Sequence, residues 1–160
     1  MAETRYLYLM RHGEAGACAT DFDRPLTRGG KKQVKTETAQ FKLPDGIRPD
    51  VIFCSTAKRT RQTAEELESL FRGIPVFYRE TLYLAPPYRL LDLVRQTDEM
   101  FHRILVIGHN PGLEQLAGLL SKEMAYVSLK PADCVVINLE IESWKGLKPG
   151  VGKIEKIFRG

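Results

Sequence analysis

Apolar residues in this chain gather into short runs, separated by stretches in which they recur at helical spacing. Leu7-Tyr8-Leu9-Met10, Val51-Ile52-Phe53-Cys54 and Ile104-Leu105-Val106-Ile107 are nearly continuous, as in strands buried on both faces. Pro75-Val76-Phe77-Tyr78, Val135-Val136-Ile137-Asn138-Leu139 and Gly152 to Phe158 predict further strands. Gly13 to Asp23 reads as a loop, after which Thr27 is the N-cap of a helix reaching about Phe41. The prolines and glycine between Leu43 and Pro49 then turn the chain. A second helix is predicted from about Ala57 to Phe71, with Ala64, Leu67, Leu70 and Phe71 on one face and Gly73 as its stop. Pro86-Pro87 opens a third helix carrying Leu90, Leu91 and Val94. Pro111 takes the first position of a fourth, which continues through Leu113 to Leu120. Strands alternating with helices predict a three-layer α/β/α sandwich around a central, mostly parallel sheet. With 160 residues and no repeat, low-complexity tract or dividing linker, one domain spanning 1–160 is expected.

Composition narrows the function classes. No apolar run approaches the roughly 20 residues of a membrane span. Met1-Ala2-Glu3-Thr4-Arg5 leads into the first strand without the apolar core or cleavage site of a signal peptide, so a cytoplasmic protein is expected. Cys18, Cys54 and Cys134 are odd in number, far apart and form no C-x-x-C pair, which suggests neither a disulfide scaffold nor a zinc site. The formal charge of +4 is spread along the chain. It suits an anionic small group or an acidic protein partner better than a nucleic-acid surface.

In parallel sheets, ligands bind at the carboxyl ends of the strands. Those ends carry Arg11-His12-Gly13, then Ser55 to Arg61, then Gly108-His109-Asn110. Two histidines and at least one further arginine therefore converge on one edge. Arginine forks match a phosphoryl group bidentately, and the helix beginning after Asn110 would present free N–H groups and a positive dipole end. The backbone N–H of Asn110 is a candidate additional donor. By position alone, His12 and His109 stay open between structural and functional roles. Arg59 and Arg61 taken singly read as solvated helix residues, and His102, ahead of a strand, as structural.

Leu9-Met10-Arg11-His12-Gly13-Glu14 resembles the Arg-His-Gly signature of the histidine phosphatase superfamily, which also contains the cofactor-dependent phosphoglycerate mutases. Arg24 to Gly30 resembles its Pro-Leu-Thr-x-x-Gly segment, and Ser55 to Ala64 its Ser-x-x-x-Arg-x-x-Gln-Thr-Ala segment. Val106 to Pro111 is similar to the stretch around its second histidine. The resemblance implies a phosphoglycerate mutase-like fold and a hydrolase in which His12 attacks phosphorus and forms a transient phosphohistidine. Arg11, Arg59 and His109 would hold the phosphoryl oxygens, with Arg59 chosen over Arg61 because it stands four residues after Ser55. Proton donation from His12 Nδ1 to a carbonyl, that of Gly13, would leave Nε2 to attack. No metal and no cofactor are implied.

The chain departs from the pattern at the proton donor. Mutases and phosphomonoesterases of the family carry a glutamate in a Leu-x-Glu-x-x-Tyr/Phe-Gly segment, and the counterpart here is Tyr78 to Leu84. Glu80 falls in place as a candidate acid, but Leu84 replaces the glycine, and a surface charge at a strand end is the other reading. The short chain and Gly108-His109-Asn110-Pro111 resemble the SixA-type branch. That resemblance implies a phosphorylated protein substrate, such as a histidine phosphotransfer domain, and inorganic phosphate as product. A small-molecule phosphomonoesterase and a non-catalytic phosphate-binding module are the alternatives.

Overall fold

The computed structural model describes residues 4–159. Met1, Ala2 and Glu3, on which the expectation of no signal peptide partly rests, lie outside them, as does Gly160. The strands are β1 (Thr4–Arg11), β2 (Val51–Ser55), β3 (Val76–Arg79), β4 (Arg103–Gly108), β5 (Cys134–Glu140) and β6 (Gly152–Phe158). The helices are α1 (Arg28–Phe41), α2 (Lys58–Leu67), α3 (Pro87–Arg95) and α4 (Gly112–Leu120). The strands form one sheet in the order β3-β2-β4-β1-β5-β6. Strands β3, β2, β4 and β1 run parallel, whereas β5 is antiparallel to β1 and β6 is antiparallel to β5. Each parallel pair needs a crossover, and the helices supply them. The link from β5 to β6 holds only a short 3-10 turn at Trp144–Gly146, too little for a crossover, so the chain doubles back.

The continuous apolar runs are explained by cover on both faces. Leu7 and Leu9 of β1, Ile104 and Val106 of β4, and Val135 and Ile137 of β5 point to one side, where α3 and α4 bring Leu90, Val94, Leu113 and Leu116. Tyr8, Met10, Leu105, Ile107 and Cys134 point to the other, against Val34 and Phe41 of α1 and Ala64 and Leu67 of α2. Two predicted boundaries shift. Helix α2 ends at Leu67 rather than near Phe71, and the chain continues in turns, although Phe71 still stacks on Phe41 at 6.4 Å. Pro111 precedes α4 as its N-cap residue instead of occupying its first turn.

Helix α1 meets the turn after β1 at glycines. Thr27 caps the helix by accepting the Gly30 N–H at 2.9 Å, and a Cβ on Gly30 would stand 2.2 Å from the Glu14 carbonyl oxygen. A Cβ on Gly13 would in turn lie 2.8 Å from the Gly30 carbonyl oxygen. The backbone following His12 therefore packs directly on the helix backbone. Gly30→Ala should lose about 1–2 kcal/mol, because overpacking against backbone outweighs the helix preference of alanine, and Tm should fall by roughly 3–8 °C. An unchanged or higher Tm in a thermal melt would show that this contact yields without cost.

Candidate active site

The carboxyl ends of β2, β4 and β1 are neighbours, with Arg11 opposite Gly108 and Cys54 opposite Ile107. His12, Ser55 and His109 thus emerge side by side. The two histidines border a cleft of about 330 Å³ whose lining includes Arg11, His12, Asp21, Arg59, His109 and Asn110. A larger hollow of about 680 Å³ lies beside β3, but side chains such as Phe77, Arg89 and Met100 line it and neither of these histidines does. Among the described residues, no group of three or more His, Cys, Asp or Glu side chains is placed to hold a metal ion.

His12 is held by its own turn. Its Nδ1 lies 2.7 Å from the Gly13 carbonyl oxygen, so Nδ1 carries the proton and Nε2 keeps its lone pair. Arg59 Nε donates to that Nε2 at 3.3 Å. Burial above all, and then the guanidiniums of Arg59 and Arg11, push the His12 pKa down to about 4 against the opposing pull of the Gly13 carbonyl. His109 lies beside it, ring centroids 5.4 Å apart, with Nε2 2.7 Å from Ser55 Oγ. Ala57 N–H donates to the same oxygen at 3.4 Å, and Ser55 does not reach the other ring nitrogen, Nδ1. That Nδ1 is buried without a partner, as are Arg11 Nε and Asn110 Oδ1. Burial, with Arg59 next, lowers the His109 pKa to about 3.

The two arginines of α2 have different surroundings. Arg59 is 3% exposed and points inward, donating from its terminal nitrogens to the Asp21 carbonyl oxygen at 2.7 Å and to Asp21 Oδ2 at 3.1 Å. Arg61, half a turn further, donates to the Thr56 carbonyl at 2.9 Å and covers the Tyr78 ring at 4.5 Å. Arg11 and the Asn110 side chain share the Leu129 carbonyl, at 3.0 and 2.9 Å. Other motif residues act as fasteners. Thr63 Oγ1 accepts the Gly13 N–H at 3.1 Å, and Gln62 Oε1 accepts the Leu26 N–H at 2.7 Å.

The family model for the histidine phosphatase superfamily (branch 1) matches residues 7–83, which hold the Arg-His-Gly turn, Arg59 and the Glu80 segment. An uncharacterized protein of Mycobacterium tuberculosis is 31% identical over 116 residues, 70% of this chain and 70% of its own length. A structure from Nakamurella multipartitia, assigned as the phosphohistidine phosphatase SixA, superposes with a TM-score of 0.84 at 26% identity, over 98% of this chain and 96% of that one. The chain belongs to the histidine phosphatase superfamily, and to its SixA type. The same fold, at 15% identity and a TM-score of 0.74, serves a mycobacterial glucosyl-3-phosphoglycerate phosphatase, which covers 99% of this chain and 100% of its own.

As a histidine phosphatase, the chain gathers Arg11, His12, Arg59, His109 and Asn110 in one cleft but leaves Glu80 out of the lining. Glu80 is exposed at the start of a 3-10 turn, Glu80–Leu82. From the same segment it is Leu84 that lines the cleft, at φ 49°, a left-handed conformation that glycine takes without strain. Tyr83 packs edge-on to His109 at 5.4 Å and donates to Asp21. Sequence reasoning missed Asp21, Tyr83 and the hydroxyl of Ser55. Asp21 sits in a loop with no periodicity, and attention within Tyr78 to Leu84 fell on the carboxylate. His102 stands at the amino end of β4, away from the cleft, its backbone N–H donating to Asp50 at 2.8 Å. Cys54 and Cys134 are buried free thiols, and Cys18 is an exposed one.

Both histidines have folded-state pKa values below the unfolded value of about 6.5. Above that pH neither state binds the protons, and the two residues leave stability unchanged. As pH falls from about 6.5 toward their folded values, near 4 for His12 and 3 for His109, the unfolded chain gains protons that the fold excludes, so stability drops across that window. In an NMR titration of the free protein, the His12 and His109 rings should stay neutral to about pH 5, a fall of more than one unit from the ordinary value. Midpoints above pH 6 would contradict this burial.

Proposed function

We propose that the protein is a cytoplasmic, single-domain phosphohistidine phosphatase whose substrates are phosphorylated proteins, histidine phosphotransfer domains being the chemical type, with inorganic phosphate as product. The observation that carries the reading is the neutral His12 Nε2 at the cleft, whose lone pair accepts the Nε–H of the buried Arg59 guanidinium and is released to attack when Arg59 turns to the phosphoryl oxygens. The lone pair forms a P–N bond as the bond from phosphorus to the substrate nitrogen breaks, and that electron pair stays on the departing imidazole. Water then attacks the phosphohistidine, the P–N electrons return to His12, and the water proton leaves with phosphate and solvent. Arg11 and Arg59 hold the phosphoryl oxygens, Arg59 as a cation already stripped of water, and His109 adds a ring N–H donor.

Leaving-group chemistry supports the phosphohistidine substrate. An alkoxide must receive a proton as it departs, and Glu80, which would supply it, does not line the cleft. A phosphoimidazole protonated on its other nitrogen departs as neutral imidazole. The mouth also exposes apolar side chains, Phe22 at 40% and Leu84 at 53%, which suit a protein surface better than a sugar. The exposed free thiol of Cys18 suits a reducing compartment.

His12→Ala should abolish turnover and the acid-labile phosphoenzyme together. Arg59→Ala should cost roughly 10²–10³-fold in kcat/KM, as for loss of a transition-state donor, and Arg61→Ala only a few-fold. Glu80→Gln should stay within about tenfold of the native rate on phosphohistidine, a change of roughly 1.4 kcal/mol or less. The decisive comparison is single-turnover rates on a phosphohistidine peptide and a sugar phosphate. Faster turnover of the sugar phosphate would replace this reading with a phosphomonoesterase, and the absence of any phosphoenzyme would leave a binding module.

A further inference from the structure

Asp21 is the carboxylate closest to the reacting groups in the hydrogen-bond pattern of the cleft, and the proposed reaction does not yet use it. Its backbone carbonyl and its Oδ2 take one terminal nitrogen each of Arg59, at 2.7 and 3.1 Å. The same Oδ2 accepts from the Tyr83 hydroxyl, and Oδ1 from Arg24 at 3.2 Å. These bonds hold the group ionised, with its pKa lowered to about 2, first by Tyr83 and then by Arg24 and Arg59. Asp21 is nevertheless 44% exposed in its side chain, whereas Arg59 is 3% exposed. An ion pair with one partner so solvated adds little to stability.

The order of the groups is what matters. Arg59 stands between His12 and Asp21, its Nε facing the attacking nitrogen and its terminal nitrogens facing the carboxylate. A guanidinium carries five N–H groups, and Asp21 occupies one on each terminal nitrogen, so one on each is left for phosphoryl oxygens. A phosphoryl group seated on His12 Nε2 and on those free N–H groups directs its leaving group in line, away from His12 and toward the mouth, where Asp21 is exposed. A fixed negative charge there attracts a phosphorylated imidazolium and repels a group that departs as an anion.

We propose that Asp21 is a specificity-determining residue that selects phosphoryl groups departing from a protonated imidazole over those departing as alkoxide or phenolate. This rests on the phosphohistidine reading above and deepens it. The carboxylate favours the substrate in which the ring nitrogen remote from phosphorus is protonated. As the P–N bond breaks, the electron pair goes to the departing nitrogen, the proton stays on the remote one, and neutral imidazole leaves. Asp21 itself neither gains nor loses a proton.

The test compares native protein and Asp21→Asn on a phosphohistidine peptide and on p-nitrophenyl phosphate, whose leaving group is anionic. Asparagine keeps a hydrogen-bonding oxygen for Arg59 and Tyr83, and the backbone carbonyl bond to Arg59 is untouched, so the charge and the exposed contact with Arg24 are lost while Arg59 stays held. The ratio of kcat/KM, phosphohistidine over phosphoester, should fall at least tenfold, with the phosphoester value rising. Inorganic phosphate should also inhibit at lower concentration. A ratio that moves less than tenfold, including an equal loss on both substrates, overturns the role of Asp21 while leaving the phosphohistidine reading intact. Native protein that hydrolyses the phosphoester but not the peptide removes that reading, and the assignment of Asp21 with it.

Discussion

A guanidinium donating to a neutral imidazole inside the protein, Arg59 Nε to His12 Nε2 at 3.3 Å, is the contact on which the site depends. Burial above all, and then the positive charge of Arg59, keeps His12 unprotonated. A cation at 3% exposure also needs partners, and the loop at Asp21 supplies them from both backbone and side chain. The protein thus holds positive charge already stripped of water against the nitrogen that reacts. Such a site meets a phosphoryl group without reorganising solvent first.

The parallel sheet makes this arrangement possible. Three adjacent strands end at one level, so residues far apart in sequence become neighbours without long loops. The turn after β1 is then fixed from outside, by Thr63 on its Gly13 N–H and by the backbone contact of Gly30 with Glu14. Many residues of the motif segments therefore never touch a ligand. Gln62 and Thr63 fasten loops to α2, and Thr27 caps α1, so the segments combine reacting groups with the fasteners that aim them.

Legibility followed the length scale of the physics. Buried strands declare themselves by runs such as Ile104 to Ile107, and α1 by its Thr27 cap, because burial and capping act within a few residues. The choice of Arg59 over Arg61 came from the family pattern, which has its arginine four residues after Ser55, and the structure supplies the reason, since two residues along a helix is about 200° of rotation, with Arg59 inward and Arg61 onto Tyr78. Glu80 could not be judged that way. It follows β3 at the sheet edge, and whether its carboxylate reaches the cleft depends on the course of the chain through Tyr83 and Leu84.

By itself, then, the sequence determined the elements, the strand ends that carry His12, Arg59 and His109, and the family, all set by local pattern and spacing. Only the tertiary structure decided what faces them. Asp21 comes from an aperiodic loop and Tyr83 from beyond β3, and each reaches the cleft through long-range contacts with no counterpart in local pattern. The same holds for the His109 ring, which meets the Ser55 hydroxyl of another strand at 2.7 Å. Charge at the site is a property of neighbours in space, and chain order does not encode it directly.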